Sequence, residues 1–579
     1  MTTYSSSQAI AGIARRVSVG RAGKLGWISV ALATLIVIPI GSVVVNIFAP
    51  SEMTWPHLVA TVLPGYIWNT AALLVGVAYG VISIGVVSAW LVTAYRFPGR
   101  RVLEWALILP LAMPAYVMAY AYTDWLEFSG PVQSLLRDVT GWQARGYWFP
   151  EVRSLGGAMA MLSFALYPYV YLLARTAFLE RPASLIEAAR TMGYGARRAF
   201  WRIDLPLARP AIAGGIALAL METLADYGTV AYFAVDTFTT GIYRAWFSLG
   251  DKVAAAQLSA ALLAFVVVAV LLERWSRGAA RTASVNRMRS PKPPAQPRLT
   301  GWRGALATLI CATPIAIGFA LPVWLLGKLV LSEPGLPGAA RFGELAWNSF
   351  RVAGMTAVFA VLFAIVIAYA VRLAPGALTH GTSRLLALGY AAPGTVLAVG
   401  VLLPLGAADA ALASFAEREF GMRTGLLLTG TLVALIYAYL VRYFAVAWNG
   451  IEPAFARITP NMDAAARGLG AGTAGTLLRV HAPLVARSAA ATALLVFVDV
   501  MKELPATLVL RPFNFDTLAT RTYTLAQDER LAEAALPSLA IVAVGVLPLI
   551  ILARAVRRGI GSGRQALPAA ATPVTALAG

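Results

Sequence analysis

Twelve apolar runs, each long enough to cross a lipid bilayer, constrain this chain more than any other feature. They fall at about 26–48, 70–94, 103–124, 155–176, 209–232, 254–272, 304–327, 349–372, 384–408, 424–446, 487–509 and 534–556. A spanning helix needs about 20 predominantly apolar residues. Inside a bilayer no water satisfies the backbone, so long apolar runs of this kind become α-helices. The expected fold is therefore all-α: a polytopic membrane protein with twelve transmembrane helices. Composition agrees, with 13% charged residues and a mean hydropathy of +0.71, against about 25% charge in a soluble domain. The first run, from Trp27 to Phe48, exceeds the roughly 7–15 residues of a signal-peptide core and is expected to remain as a span.

The net charge of +20 is distributed as membrane orientation demands, which argues against a nucleic-acid partner. Basic loops alternate with mixed or acidic ones. The basic set comprises RFPGRR at 96–101, the loops around 175–209, 372–384 and 451–487, the segment 273–303, and the tail with Arg554, Arg557, Arg558 and Arg564. The positive-inside rule puts that set, and both termini, in the cytosol. Segment 273–303 holds eight Lys or Arg against one Glu, with Pro291, Pro293, Pro294 and Pro297, and reads as a linker. The expected organisation is a tail (1–25), a six-span half (26–272), the linker (273–303), a second half (304–556) and a tail (557–579).

Several chemistries drop out. Cys311 is the single cysteine, and His57, His380 and His481 lie far apart, so no disulfide framework or metal-ligand spacing exists and no metal site is assigned. No phosphate-cradling P-loop occurs, so no cofactor is expected in this chain. No catalytic constellation appears, and the chain is expected not to be an enzyme.

An internal repeat of about 277 residues relates the halves. Gly193 and Pro206 recur as Gly470 and Pro483 at that offset, and Glu222, Asp226, Phe238 and Arg244 meet Asp499, Glu503, Phe515 and Arg521. Trp68-Asn69 corresponds to Trp347-Asn348, and Pro114 to Pro393. An even number of spans per unit gives two tandem parallel halves related by an axis along the membrane normal. Pro110, Pro114, Pro168 and Pro393 fall within spans and kink them; packing and gating are both open readings.

The most informative repeated stretch is polar. EAARTMGYGARRAFWRIDLP (187–206) returns as AAARGLGAGTAGTLLRVHAP (464–483), with Pro thirteen residues after Gly in both. A basic loop obeying the positive-inside rule explains the arginines but not the matched Gly-to-Pro spacing. Small residues (Ala188-Ala189, Ala465-Ala466) allow close packing, Gly193 and Gly470 suit a turn that a side chain would obstruct, and Pro206 and Pro483 start the next span.

This pattern resembles the EAA loop of membrane subunits of ATP-binding-cassette importers of the type I kind. The resemblance implies a coupling helix docked on a separate ATPase subunit, carried here by Glu187, Ala188, Ala189, Gly193 and Pro206. The second copy departs from the pattern: Ala464 stands where Glu is expected, preceded by Asp463, with Ala465, Gly470 and Pro483 retained. PLAMPAYVMAYAYTDWL (110–126), 222–246 and 502–523 further resemble the fused, twelve-span permeases of ferric-iron importers. The resemblance implies two copies of an ABC ATPase subunit that bind ATP and Mg, a soluble periplasmic substrate-binding protein, and a bacterial inner-membrane location. Related fused permeases carry thiamine or phosphonates.

Glu222 and Asp226 in the fifth span, and Asp499, Lys502 and Glu503 in the eleventh, are candidate pathway residues. Spacing of i, i+4 puts each acidic pair on one helix face, near the external leaflet. Ionised groups within the membrane cost about 2.5–3.5 kcal/mol each on insertion scales unless paired or wetted. Two readings stand: a carboxylate ring attracting a hard cation, or interhelical pairing with Lys502 as a neutraliser. The segments 236–246 and 513–523 are equally open as docking loops or solvated loops. A gradient-driven secondary transporter with two six-span halves is the rival class; it does not require the matched Gly–Pro loops.

Overall fold

The computed structural model describes residues 24–50, 54–143, 146–181, 183–278, 296–332, 339–373, 381 and 392–562. Among them, regular structure is helical apart from one isolated bridge between Arg96 and Arg298. The first half contains α1 (Lys24–Val45), α2 (Leu63–Ala94), α3 (Arg100–Ala106), α4 (Ala115–Leu126), α5 (Leu155–Leu179), α6 (Ala183–Thr191), α7 (Leu205–Ala225), α8 (Gly228–Tyr232) and α9 (Lys252–Gly278). The second contains α10 (Gly301–Ile315), α11 (Leu321–Ser332), α12 (Ala339–Leu373), α13 (Gly394–Phe420), α14 (Leu432–Ala456), α15 (Pro460–Gly468), α16 (Ala482–Met501), α17 (Pro505–Leu510) and α18 (Leu531–Ser562).

Eleven stretches among the described residues are long and apolar enough to cross a membrane, and a broken pair bent by 93° makes a twelfth. The bend separates Arg100–Ala112 from Ala115–Thr140. It falls at Pro114, which caps α4 in an extended conformation; proline supplies no N–H there and cannot continue the preceding turn. The run expected at 103–124 is therefore a broken span. The run expected at 384–408 is α13, which begins after Pro393 and continues to Phe420; residues 382–391 lie outside the described set, as do 279–295 of the linker and most of both tails.

The two halves interlock. α1 packs on the second half: Ala33 and Ile36 are buried with α12, α13 and α14 residues, and the Ser42 hydroxyl donates to Gly400 O at 2.7 Å. Reciprocally, Ala307 and Cys311 of α10 and Leu326 of α11 lie in the core of the first half, and the Tyr122 hydroxyl donates to Ile317 O at 2.7 Å. Each half, contiguous in sequence, thus lends its first span to the other. The close approach of α1 requires Gly400, where a Cβ would stand 2.3 Å from Pro39 O.

Three turns widen to the π type: Phe200–Asp204, Ala316–Ala320 and Leu477–His481. Each ends two residues before a proline (Pro206, Pro322, Pro483). A proline ring clashes with the carbonyl four residues back, and the wider turn moves that carbonyl aside. The first and third sit at the same repeat position, 277 residues apart, so the bulge is part of the repeat.

Candidate functional site

α7 and α16 carry the acidic residues, and both helices stop where the sequence suggests continuity. α7 ends at Ala225 with Glu222 in its last turn, and Asp226 is already extended at φ −69°, ψ 130°. Its carboxylate accepts from Thr229 N (3.0 Å), Val230 N (3.1 Å) and the Thr229 hydroxyl (2.9 Å). Likewise α16 ends at Met501, and Glu503 accepts from Ala506 N (2.9 Å), Thr507 N (3.1 Å) and the Thr507 hydroxyl (2.6 Å). Each carboxylate caps the short helix that follows, α8 or α17, satisfying N–H groups that a helix start leaves open. The expected i, i+4 pairs on continuous helix faces are therefore corrected: Asp226 and Glu503 lie beyond the breaks.

The breaks open a cavity of about 120 Å³ between the halves, and all five candidate pathway residues line it: Glu222, Asp226, Asp499, Lys502 and Glu503. Lys502 pairs with Asp499 at 3.0 Å, and the Tyr443 hydroxyl donates to Asp499 O at 3.2 Å. Arg442, from α14, is a further lining residue that the sequence reading did not single out. It lies 3.3 Å from Glu503, in space kept by Gly394, where a Cβ would come within 2.3 Å of its guanidinium. Its signal was present: an arginine inside the apolar run 424–446, of the kind that usually faces a bundle interior. Across the repeat, Ala165 and Ala225 occupy the places of Arg442 and Lys502, so the cavity's cations all come from the second half. Among the described residues, no three His, Cys, Asp or Glu side chains form a group able to hold a metal ion.

At the opposite ends of α7 and α16 sit the repeated loops. Glu187, Ala188 and Ala189 lie in α6, and Asp463, Ala464 and Ala465 in α15. Gly193 and Gly470 close these helices at φ +77° and +79°. Tyr194 N donates to Ala189 O at 2.9 Å and Ala471 N to Ala466 O at 3.0 Å, the six-residue closure of a helix ending in a left-handed glycine. A Cβ at either glycine would meet nothing within 4 Å, so the requirement is backbone conformation and not room. Ala189 and Ala466 are buried, while Glu187, Ala188, Ala464 and Ala465 face outward. Beside each glycine an apolar side chain projects: Met192 is 63% and Leu469 89% exposed.

Asp463 does not replace the missing glutamate. It points inward, accepting from Arg372 Nε at 2.8 Å and bonded to His481 Nε2 at 2.6 Å. Burial pushes its pKa up, but the His481 and Arg372 bonds outweigh it and hold the carboxyl below the ordinary range. In the first half the position of His481 belongs to Asp204, which pairs with Arg181 at 2.5 Å. Both loops are fastened at the same place by different pairs.

The family described as binding-protein-dependent transport system inner membrane component matches residues 81–281. Residues 81–281 thus carry a permease domain of binding-protein-dependent transport. This permease is 25% identical over 487 residues to an Fe(3+)-transport system permease protein of Haemophilus influenzae, covering 84% of this chain and 88% of that one. It is 29% identical over 197 residues to a molybdenum transport system permease protein of Escherichia coli, 33% of this chain and 83% of that one. It is 28% identical over 229 residues to a sulfate transport system permease protein of Salmonella typhimurium, 38% and 77%. These relatives are transport permease components, the matched family is an inner-membrane one, and the candidate spans make the chain multi-pass.

Proposed function

We propose that this permease imports ferric iron, delivered by a soluble binding protein and driven by two copies of an ATPase subunit docked on α6 and α15. The observation that carries the iron reading is coverage. The iron permease aligns with 84% of the chain, whereas the molybdenum and sulfate permeases align with 33% and 38% of it. In this reading ATP and Mg are bound by the ATPase subunits, and both termini lie in the cytosol.

The two ends of α7 and α16 supply the coupling. Each repeated loop leads through its π turn directly into the helix whose far end lines the cavity. The span Arg197–Ala225 counts 29 residues, about 44 Å at 1.5 Å per residue. Movement of α6 or α15 is therefore delivered to Glu222 or Asp499 along one continuous helix. Met192 and Leu469 are the apolar tips that enter the ATPase surface, and the left-handed glycines fix their direction.

Reconstitution of the complete complex in proteoliposomes tests this. The expected result is ATP-dependent uptake of radiolabelled iron(III) that excess sulfate or molybdate does not reduce. Sulfate or molybdate uptake without iron uptake would remove the iron assignment. Uptake driven by an ion gradient in the absence of the ATPase would remove the coupling assignment.

A further inference from the structure

A ten-residue helix, Pro131–Thr140, follows α4 at the end of α5 remote from α6. Ion pairs fix its level. Glu127 lies 3.2 Å from Arg153, which is 3.8 Å from Glu529. Arg153 and Glu529 each stand two residues before a span begins, α5 at Leu155 and α18 at Leu531. The helix therefore starts where spans meet the bilayer surface. It also belongs to the segment turned by 93° from Arg100–Ala112, so the two stretches do not both run along the membrane normal.

The polarity of this helix is reversed. A surface helix ordinarily turns its apolar stripe to the core. Here the polar side faces the protein. Gln133 is buried; its amide donates to Leu126 O at 2.9 Å, and its side-chain oxygen accepts from the Tyr147 hydroxyl at 2.8 Å. Arg137 donates to that same hydroxyl at 3.0 Å and to the Ser134 hydroxyl at 3.1 Å. Leu135 and Val139, one turn apart on the same side, point away from the protein and are 64% and 76% exposed. Trp142 and Trp148 are exposed just beyond them. Two features select lipid as the cover. α11 packs against α4 and carries exposed Trp324 and Leu331, so the apolar face continues the outer surface of a span. Tryptophan also concentrates where a bilayer meets water.

We propose that Pro131–Thr140 lies in the boundary between lipid headgroups and acyl chains, with Leu135, Val139 and Trp142 turned into the bilayer. Amphipathic helices with an aromatic, apolar face take that position. The contact anchors the broken span. α4 carries Ala115 and Tyr116 in the cavity wall, so a lipid-held helix at its other end fixes the depth of that wall. The inference does not depend on which substrate is carried.

Leu135→Cys and Val139→Cys, each spin-labelled in the complete complex, test this in nanodiscs of phosphatidylethanolamine and phosphatidylglycerol. Both side chains are exposed, so neither change disturbs packing, and Cys311 is buried, so the unsubstituted complex gives the background. Collisions of the label with oxygen, which concentrates among acyl chains, are compared with collisions with a water-soluble nickel chelate. Arg423→Cys, at a side chain 91% exposed, serves as the aqueous reference. The expected oxygen-to-chelate ratio at both positions is severalfold above the reference, with or without the soluble binding protein. A ratio equal to the reference would mean a solvated face and overturns the inference. Exclusion of both reagents from the free complex would mean that protein covers the face. Chelate access lost only when the binding protein is added would make the face a docking surface for it. Either result also overturns the inference.

Discussion

At the scale of single residues, Gly193 and Gly470 make the sharpest demand. Both hold the left-handed backbone with open space around them, so the penalty for a side chain is conformational. A β-branched residue there costs about 1–2 kcal/mol, and Asn, which tolerates this region, costs less. Gly193→Val is expected to lower ATP-driven uptake several-fold more than Gly193→Asn at equal expression. Uptake and ATP hydrolysis measured on the same proteoliposomes check the order; equal losses would mean that space, not backbone angle, sets the requirement. Asp463 makes a different demand. Its folded pKa is lowered by His481 and Arg372, so the ionised form is favoured by folding. The stability it contributes is present above its unfolded pKa of about 3.9, and is lost as pH falls through the lower folded value. Hydrogen exchange in α15 is expected to stay constant as pH is lowered from 7 to 5, once corrected for intrinsic rates. Asp463→Asn is expected to loosen α15 across that range by about 1–3 kcal/mol, seen as faster exchange there and weaker retention of the ATPase.

At the scale of elements, α7 and α16 matter as levers. The π turn at the start of each fixes the rotational register between the loop and the helix. Pro206 and Pro483 impose that turn, because each would otherwise strike a carbonyl one turn back. Pro206→Ala allows an ordinary α turn and slips the register by one residue, about 100° of rotation at 3.6 residues per turn. The expected outcome is an intact complex with uptake reduced about tenfold relative to ATP hydrolysis, measured as iron transported per ATP. An unchanged ratio would show that the turn is not part of the lever. The loops were legible because Gly and Pro mark backbone events that spacing alone reveals. The break at Asp226 was not, because a carboxylate inside an apolar run reads equally as a paired helix residue or as a cap. The choice depends on Thr229 and Val230 folding back to meet it. Arg442 was overlooked for the opposite reason: its partner Glu503 lies 61 residues away, in another helix.

At the scale of the whole molecule, the spans and the repeat could be read from hydropathy and offset, since a bilayer permits little else. The exchange of first spans could not, because α1 and α10 are apolar on all sides that lipid or protein could cover, and hydropathy does not say which neighbour covers them. Gly400 is the local record of that choice. A Cβ there would stand 2.3 Å from Pro39 O and 3.2 Å from Val43, so a larger residue forces α1 away from the second half. Gly400→Val is expected to cost about 1–3 kcal/mol, as overpacking does. Gly406 lies in the same helix with nothing within 4 Å, and Gly406→Val there is expected to be neutral within about 0.5 kcal/mol. Thermal unfolding of the purified permease in detergent compares the two. Because α1 belongs to the first half in sequence and to the second in packing, Gly400→Val should raise hydrogen exchange in α1 and α13 together while α5 stays protected. Loss of protection confined to α13 would mean that α1 is a peripheral span and that the halves are joined mainly through α10, α11 and the cavity.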